Sequence, residues 1–151
     1  MRKWLSIGAI VIAIDVYTKH LIQQAFQYGE HLQVSSFFDL VRYHNEGAAF
    51  SFLATEGGWQ RFFFSAIAFI ASVVMIYLLR KNSEQPLFCL ALALVLGGAL
   101  GNLYDRLTLG YVVDFLFFHI DQYYWPAFNL ADSAITGGVA LLLLDGFKKP
   151  Q

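Results

Sequence analysis

Residues 62–79 read FFFSAIAFIASVVMIYLL, and not one of them carries a charge. A helix needs about 20 mainly apolar residues to cross a hydrocarbon layer of roughly 30 Å, so this stretch reads as a membrane span. Leu87–Tyr104 (LFCLALALVLGGALGNLY) repeats the pattern, and Gly97, Gly98 and Gly101 give it a small-residue face for close helix packing. Two flanking stretches are apolar but carry charges. Trp4–Ile22 contains Asp15 and Lys19, and Leu130–Phe147 contains Asp132 and Asp145. All four are read as spans, over about 4–22, 62–79, 87–104 and 130–147. Outer connections occupy 23–61 and 105–129, and 1–151 is expected to form a single membrane-embedded domain.

Composition points the same way. Of 151 residues, 58% are hydrophobic and 14% charged, against about 45–50% and about 25% in soluble domains. One small core could not hide that much apolar surface from water. The formal net charge of −1 says little about nucleic acid, and no basic run points to it, so no nucleic-acid partner is expected. Cys89, the sole cysteine, has no internal disulfide partner and reads as a small apolar residue. Arg2 and Lys3 ahead of an apolar run resemble a signal peptide, but no small-residue cleavage site follows, so the segment is kept as a span.

Orientation follows from the cations. Arg2 and Lys3, Arg80 and Lys81, and Lys148 and Lys149 lie in three short segments that share one side of a four-span protein. Both termini are therefore expected in the cytoplasm. The outer connections hold Arg42, Arg61 and Arg106. Leu32–Leu53 is rich in β-formers, with Asn45-Glu46-Gly47 expected as a turn, so a small antiparallel sheet should rest on the outer face. Trp59, beyond Gly57-Gly58, and Tyr123-Tyr124-Trp125 suit the headgroup belt. The expected class is an all-α integral membrane protein of four helices with that sheet on top.

Carboxylates in or beside lipid need partners or a task. Asp15 and Lys19, four apart, suit an ion pair on one helix face; at about 1.5 Å per residue, Asp15 sits some 16 Å from Trp4. The simplest reading lets this pair position the helix while Lys19 snorkels outward. Arg106 suits a helix C-terminus, whereas the Asn102 amide, one turn inside an apolar stretch, needs partners or a polar cavity. Asn129 and Asp132, three apart after Pro126, fit a capping box. Asp114 does not fit a bland role. It stands in Tyr-Val-Val-Asp-Phe-Leu-Phe-Phe, and both Asp114 and Asp132 flank one outer connection. Two carboxylates at one site cannot both ionise cheaply, so one keeps a proton. Such a pair can activate water, polarise a peptide carbonyl and protonate the departing amine.

The chain resembles the lipoprotein signal peptidases (signal peptidase II) of bacterial plasma membranes. Five pieces carry the resemblance in order: Asp15-x-x-Thr18-Lys19, Asn45-Glu-Gly-Ala-Ala-Phe50, Gly98-Ala-Leu-Gly-Asn102-Leu-Tyr-Asp105-Arg106, Val112-Val-Asp114-Phe and Phe128-Asn-Leu-Ala-Asp132-Ser. The resemblance implies an aspartic endopeptidase with Asp114 and Asp132 as the catalytic pair. Asn45, Asn102, Arg106 and Asn129 fall on polar positions that line the family's site, and Asp15 and Lys19 on a further pair. It implies a prolipoprotein substrate carrying diacylglycerol, cut before the lipidated cysteine, with membrane lipids as surroundings. No cofactor or metal and a monomeric unit are expected. A positive helix end at Asp132 favours Asp132 as base and Asp114 as acid.

Other chemistries lack their signatures. A transporter would show broken helices or half-repeats. A haem or quinone carrier would place histidines within spans, but His20 is at a span end and His31, His44 and His119 are in loops. Zinc proteolysis lacks His-Glu-x-x-His, and a serine mechanism lacks a Ser–His pairing. A presenilin-like protease would add Gly-x-Gly-Asp to Tyr104-Asp105.

Overall fold

The computed structural model describes residues 1–47 and 58–148, and each expected span is a helix there: α1 (Arg2–Ala25), α2 (Trp59–Lys81), α3 (Pro86–Thr108) and α4 (Leu130–Lys148). At about 1.5 Å per residue, the 23 residues of α3 reach across a bilayer core. Helix ends follow local chemistry. Pro86 opens α3 at a position whose N–H would have no intrahelical partner. Arg80 and Lys81 occupy the last turn of α2, where the dipole favours cations, and Asn82 Nδ2 donates to the Leu78 carbonyl at 2.9 Å.

Helix α3 is the buried centre and packs on α1, α2 and α4. Its glycines let the neighbours approach. A methyl group at Gly98 would collide with the Ala131 carbonyl of α4, and one at Gly101 would stand 2.6 Å from Asp15 Oδ2 on α1. At the end of the bundle where α1 begins, Trp4, Met75, Leu79, Cys89, Leu92, Ala93 and Leu96 form the apolar core. Large apolar side chains face outward instead, with Phe62, Phe69 and Phe147 all more than 60% exposed. That inversion suits lipid as solvent.

Both outer connections feed one antiparallel sheet, ordered β1 (His31–Ser35), β2 (Phe38–Asn45), β3 (Val112–Ile120) and β4 (Tyr123–Tyr124). Ile22 on α1 packs with Val113 and Phe115 of β3, against Phe26 and Leu130, and so anchors the sheet to the bundle. Each such fully buried side chain contributes about 1.5–3 kcal/mol relative to an exposed one. Arg42 on β2 donates to the Gln23 and Phe26 carbonyls at 3.2 and 2.8 Å, tying the sheet to the end of α1. Asp39 joins three strands by meeting His31 of β1 at 3.3 Å and His119 of β3 at 3.2 Å.

The turn expected at Asn45-Glu46-Gly47 follows the end of β2 and is not the turn of the first hairpin. The hairpin reverses at Ser36-Phe37, and β2 stays extended through Asn45 because it pairs with β3, with Asn45 opposite Val112. The turn chemistry survives locally, since Asn45 Oδ1 accepts from the Gly47 N–H at 3.1 Å and closes the strand. A pairing irregularity between Leu40 and Tyr43 sets Tyr43 opposite Asp114. The expected β structure at 48–53, the Ala48-Ala49-Phe50 piece, Gly57 and the C-terminal Lys149 lie outside the described residues.

Candidate active site

Asp114 enters the site from β3 and is 3% exposed. Its two oxygens each accept an amide: Asn45 Nδ2 donates to Oδ2 at 3.0 Å, and Asn129 Nδ2 to Oδ1 at 2.7 Å. Burial pushes this carboxyl up to about 7, the neighbouring Asp132 charge adds to the rise, and the two amide bonds oppose it. Near neutral pH, Asp114 is thus poised to hold or release a proton.

Asp132 lies in the first turn of α4. Its backbone N–H donates to Asn129 Oδ1 at 2.9 Å, while its Oδ2 accepts the Asn129 N–H at 3.3 Å. That is the capping box expected from the spacing. The cap does more than start a helix. With its oxygen committed to the Asp132 N–H, the fully buried Asn129 amide turns Nδ2 to Asp114. One asparagine therefore holds both carboxylates, so capping and site-building are the same set of bonds.

The fourth contact comes from α3, where Asn102 Nδ2 donates to Asp132 Oδ1 at 2.8 Å. This supplies the partner the sequence demanded for a buried amide. Beneath it lies a charged layer. Lys19 Nζ stands 2.8 Å from Asp15 Oδ2, 3.0 Å from Asp105 Oδ2 and 2.8 Å from Asn102 Oδ1. The ion pair with Asp15 is present, but Lys19 does not snorkel: its side chain is 1% exposed. Three acceptors inside the bundle replace the interface as its destination. The other Asp15 oxygen accepts the Ala131 N–H of α4 at 2.8 Å, and Asp105 Oδ2 accepts the Val113 N–H of β3 at 3.2 Å.

Asp105 is the site residue that sequence reasoning left out of its set. Its signal was present, since it lies three residues beyond Asn102 and so on the same helix face. Arg106 lies over the Phe64 ring, with the guanidinium carbon 5.6 Å from the ring centroid, and donates weakly to the Asn102 carbonyl at 3.4 Å.

These groups line a cleft of about 1190 Å³ between the sheet and the ends of α3 and α4. Asn45, Asn102, Arg106, Asp114 and Asp132 supply its polar wall, and Phe117, Phe128, Trp125 and Ile135 an apolar one. Tyr43, His44 and Thr136 also border it, and nothing in the sequence had marked them. Asn129, Asp15 and Lys19 stand behind the wall and hold the groups that form it. No group of three or more metal-ligating side chains occurs among the described residues.

Four helices long and apolar enough to span a membrane, roofed by a small sheet, with two carboxylates bound by one asparagine at a cleft between them, define a polytopic membrane protein with a buried polar site. A sequence model of signal peptidase (SPase) II matches residues 7–148. The chain is 54% identical over 149 residues to a lipoprotein signal peptidase of Paraburkholderia phytofirmans, covering 99% of this chain and 87% of that one. It is 52% identical over 146 residues to one of Ralstonia nicotianae, covering 97% and 84%. A bacterial membrane enzyme solved in meso at 1.9 Å superposes with a TM-score of 0.89 at 30% identity, over 99% of this chain and 96% of that one. The chain belongs to the signal peptidase II family, and it is a peptidase of the bacterial membrane.

Proposed function

We propose that Asp114 and Asp132 are the catalytic pair of an aspartic endopeptidase that removes the signal peptide from diacylglyceryl-modified prolipoproteins. The bond cut precedes the lipidated cysteine. The observation that carries this reading is Asn129, whose side-chain NH2 donates to the Asp114 carboxylate and whose backbone N–H donates to that of Asp132. Asp132, in the positive first turn of α4, is the base that takes a proton from water as the water attacks the scissile carbonyl. Asp114, near 7 and protonated, donates to the carbonyl oxygen and stabilises the tetrahedral intermediate. The proton held by Asp132 then passes to the departing amine, and the C–N bond breaks. Asn45, Asn102 and Arg106 face the peptide backbone, and the sheet covers it. The apolar wall at Phe117, Phe128 and Ile135 suits the acyl chains and the signal helix.

The unit is read as one peptidase domain over 1–151 that acts as a monomer. The cation distribution supports a cytoplasmic side for both termini and a cleft near the outer leaflet. Nucleic acid has no part in this reading. The test uses purified enzyme with a diacylglyceryl prolipoprotein and its unlipidated form. Cleavage of the lipidated form alone is expected, and loss of that cleavage in folded Asp114→Asn and Asp132→Asn proteins. Either variant cutting at near wild-type rate refutes the pair.

A further inference from the structure

Lys19 lies a layer below the cleft and makes no hydrogen bond to either carboxylate of the pair, yet its contacts govern how one of them is presented. An ammonium has three N–H donors; one is hydrogen-bonded to Asn102 Oδ1, and the carboxylates of Asp15 and Asp105 flank the charge as ion partners. Because Lys19 takes the Asn102 oxygen, the amide must send its NH2 the other way, to Asp132 Oδ1 at 2.8 Å. A flipped amide would set NH2 against the ammonium and oxygen against the carboxylate. Both contacts are repulsive and poorly screened in a buried site. Asn102 thus converts a buried cation on α1 into a directed donor at Asp132 on α4.

We propose that Lys19 is a positioning residue of the peptidase reaction, holding Asp132 through Asn102 in the orientation from which it acts on water and so settling which carboxyl keeps the resting proton. This rests on the assignment of Asp114 and Asp132 as the reacting pair. The charged layer is closed on every side. Lys19 faces Asp15 from α1 and Asp105 with Asn102 from α3, and the backbone N–H groups of Ala131 and Val113 occupy Asp15 Oδ1 and Asp105 Oδ2. Asp132 in turn has Asn102, Asn129, Asp114 and Arg106 around it.

The experiment uses Lys19→Met combined with Asp105→Asn, which removes one charge of each sign and leaves the formal net charge at −1. Cleavage of a diacylglyceryl prolipoprotein is followed from about pH 5 to about pH 9, where the pair titrates. The expected result is a fall in kcat on the order of 10²-fold, as misplacement of a reacting group produces, with KM little changed. The acidic limb of the profile should move to higher pH, because a donor that favours the ionised pair has gone. Asn102→Leu should reproduce this loss, and the two changes together should cost no more than one. A lower thermal midpoint with an unmoved profile and additive losses would make Lys19 structural and overturn the proposal. If the double variant does not fold, Lys19→Arg keeps the charge but not the three-way geometry. The same kcat loss is expected of it, and wild-type kinetics would overturn the proposal. Infrared titration of the carboxyl band in the idle enzyme reads the shift without turnover, so a wild-type protein that fails to cut would sink the peptidase assignment separately.

Discussion

Asp114 carries an electrostatic conflict that should appear in stability as well as activity. Its carboxyl sits at about 7 in the fold against an ordinary value of 3.8, because burial and the Asp132 charge disfavour ionisation. Between those values the folded protein binds a proton that the unfolded chain releases. Stability from this group is therefore complete below about 4 and is lost as pH rises through about 7. Asp114→Asn removes the conflict. The variant should unfold at a nearly constant temperature across that window, and above pH ~7 it should be more stable than wild type by on the order of a few kcal/mol. Thermal unfolding in detergent at a series of pH values checks this, and a wild-type midpoint that does not fall across the window would contradict it. Asp114 was legible in the sequence because Val and Phe neighbours leave a carboxylate no solvent. The fate of Lys19 was not, because its third and second acceptors, Asn102 and Asp105, come from another helix 83 residues away at the amide. Residue spacing shows partners along a helix and is blind to those across one.

At the scale of elements, the site depends on how closely α3 lies against its neighbours. Gly101 lets Asp15 pass beside the backbone, and Gly98 admits the Ala131 carbonyl. Ala131 is also the residue whose N–H holds Asp15, and it immediately precedes Asp132. A methyl group at either glycine must push α1 or α4 away, and overpacking of this kind costs about 1–3 kcal/mol. Gly101→Ala should lower the thermal midpoint and activity together. Gly137→Ala on α4 meets open space, so it should be neutral or slightly stabilising, within the ~1 kcal/mol by which Ala exceeds Gly in a helix. Equal effects at the two positions would show that helix propensity, not close approach, governs the bundle. Spans and small-residue face were readable because length, apolarity and glycine spacing are properties of one helix. The sheet was readable only in kind. Its hairpin turn fell at Ser36-Phe37 because β2 takes its register from β3, which arrives from the far side of two spans.

For the whole molecule, the distribution of cations bears on which way the bundle faces. The outer-connection arginines have structural duties: Arg42 closes α1, Arg61 donates to the Leu107 carbonyl at 3.2 Å, and Arg106 lines the cleft. Their charge is absorbed by the fold, whereas Arg2, Lys3, Arg80 and Lys81 cluster at the helix ends opposite the sheet. Short loops rich in Lys and Arg stay in the cytoplasm. A lipid-linked substrate whose reactive bond lies at the outer surface would then meet the cleft by moving sideways in the leaflet. Two engineered thiols decide it, against the low background of the fully buried Cys89. Glu84→Cys, in the turn between α2 and α3, should react with a membrane-impermeant maleimide only after cells are opened. Gln122→Cys, exposed between β3 and β4, should react in intact spheroplasts. The reverse labelling pattern would turn the molecule over. It would set the acid pair on the cytoplasmic side, away from any substrate anchored in the outer leaflet.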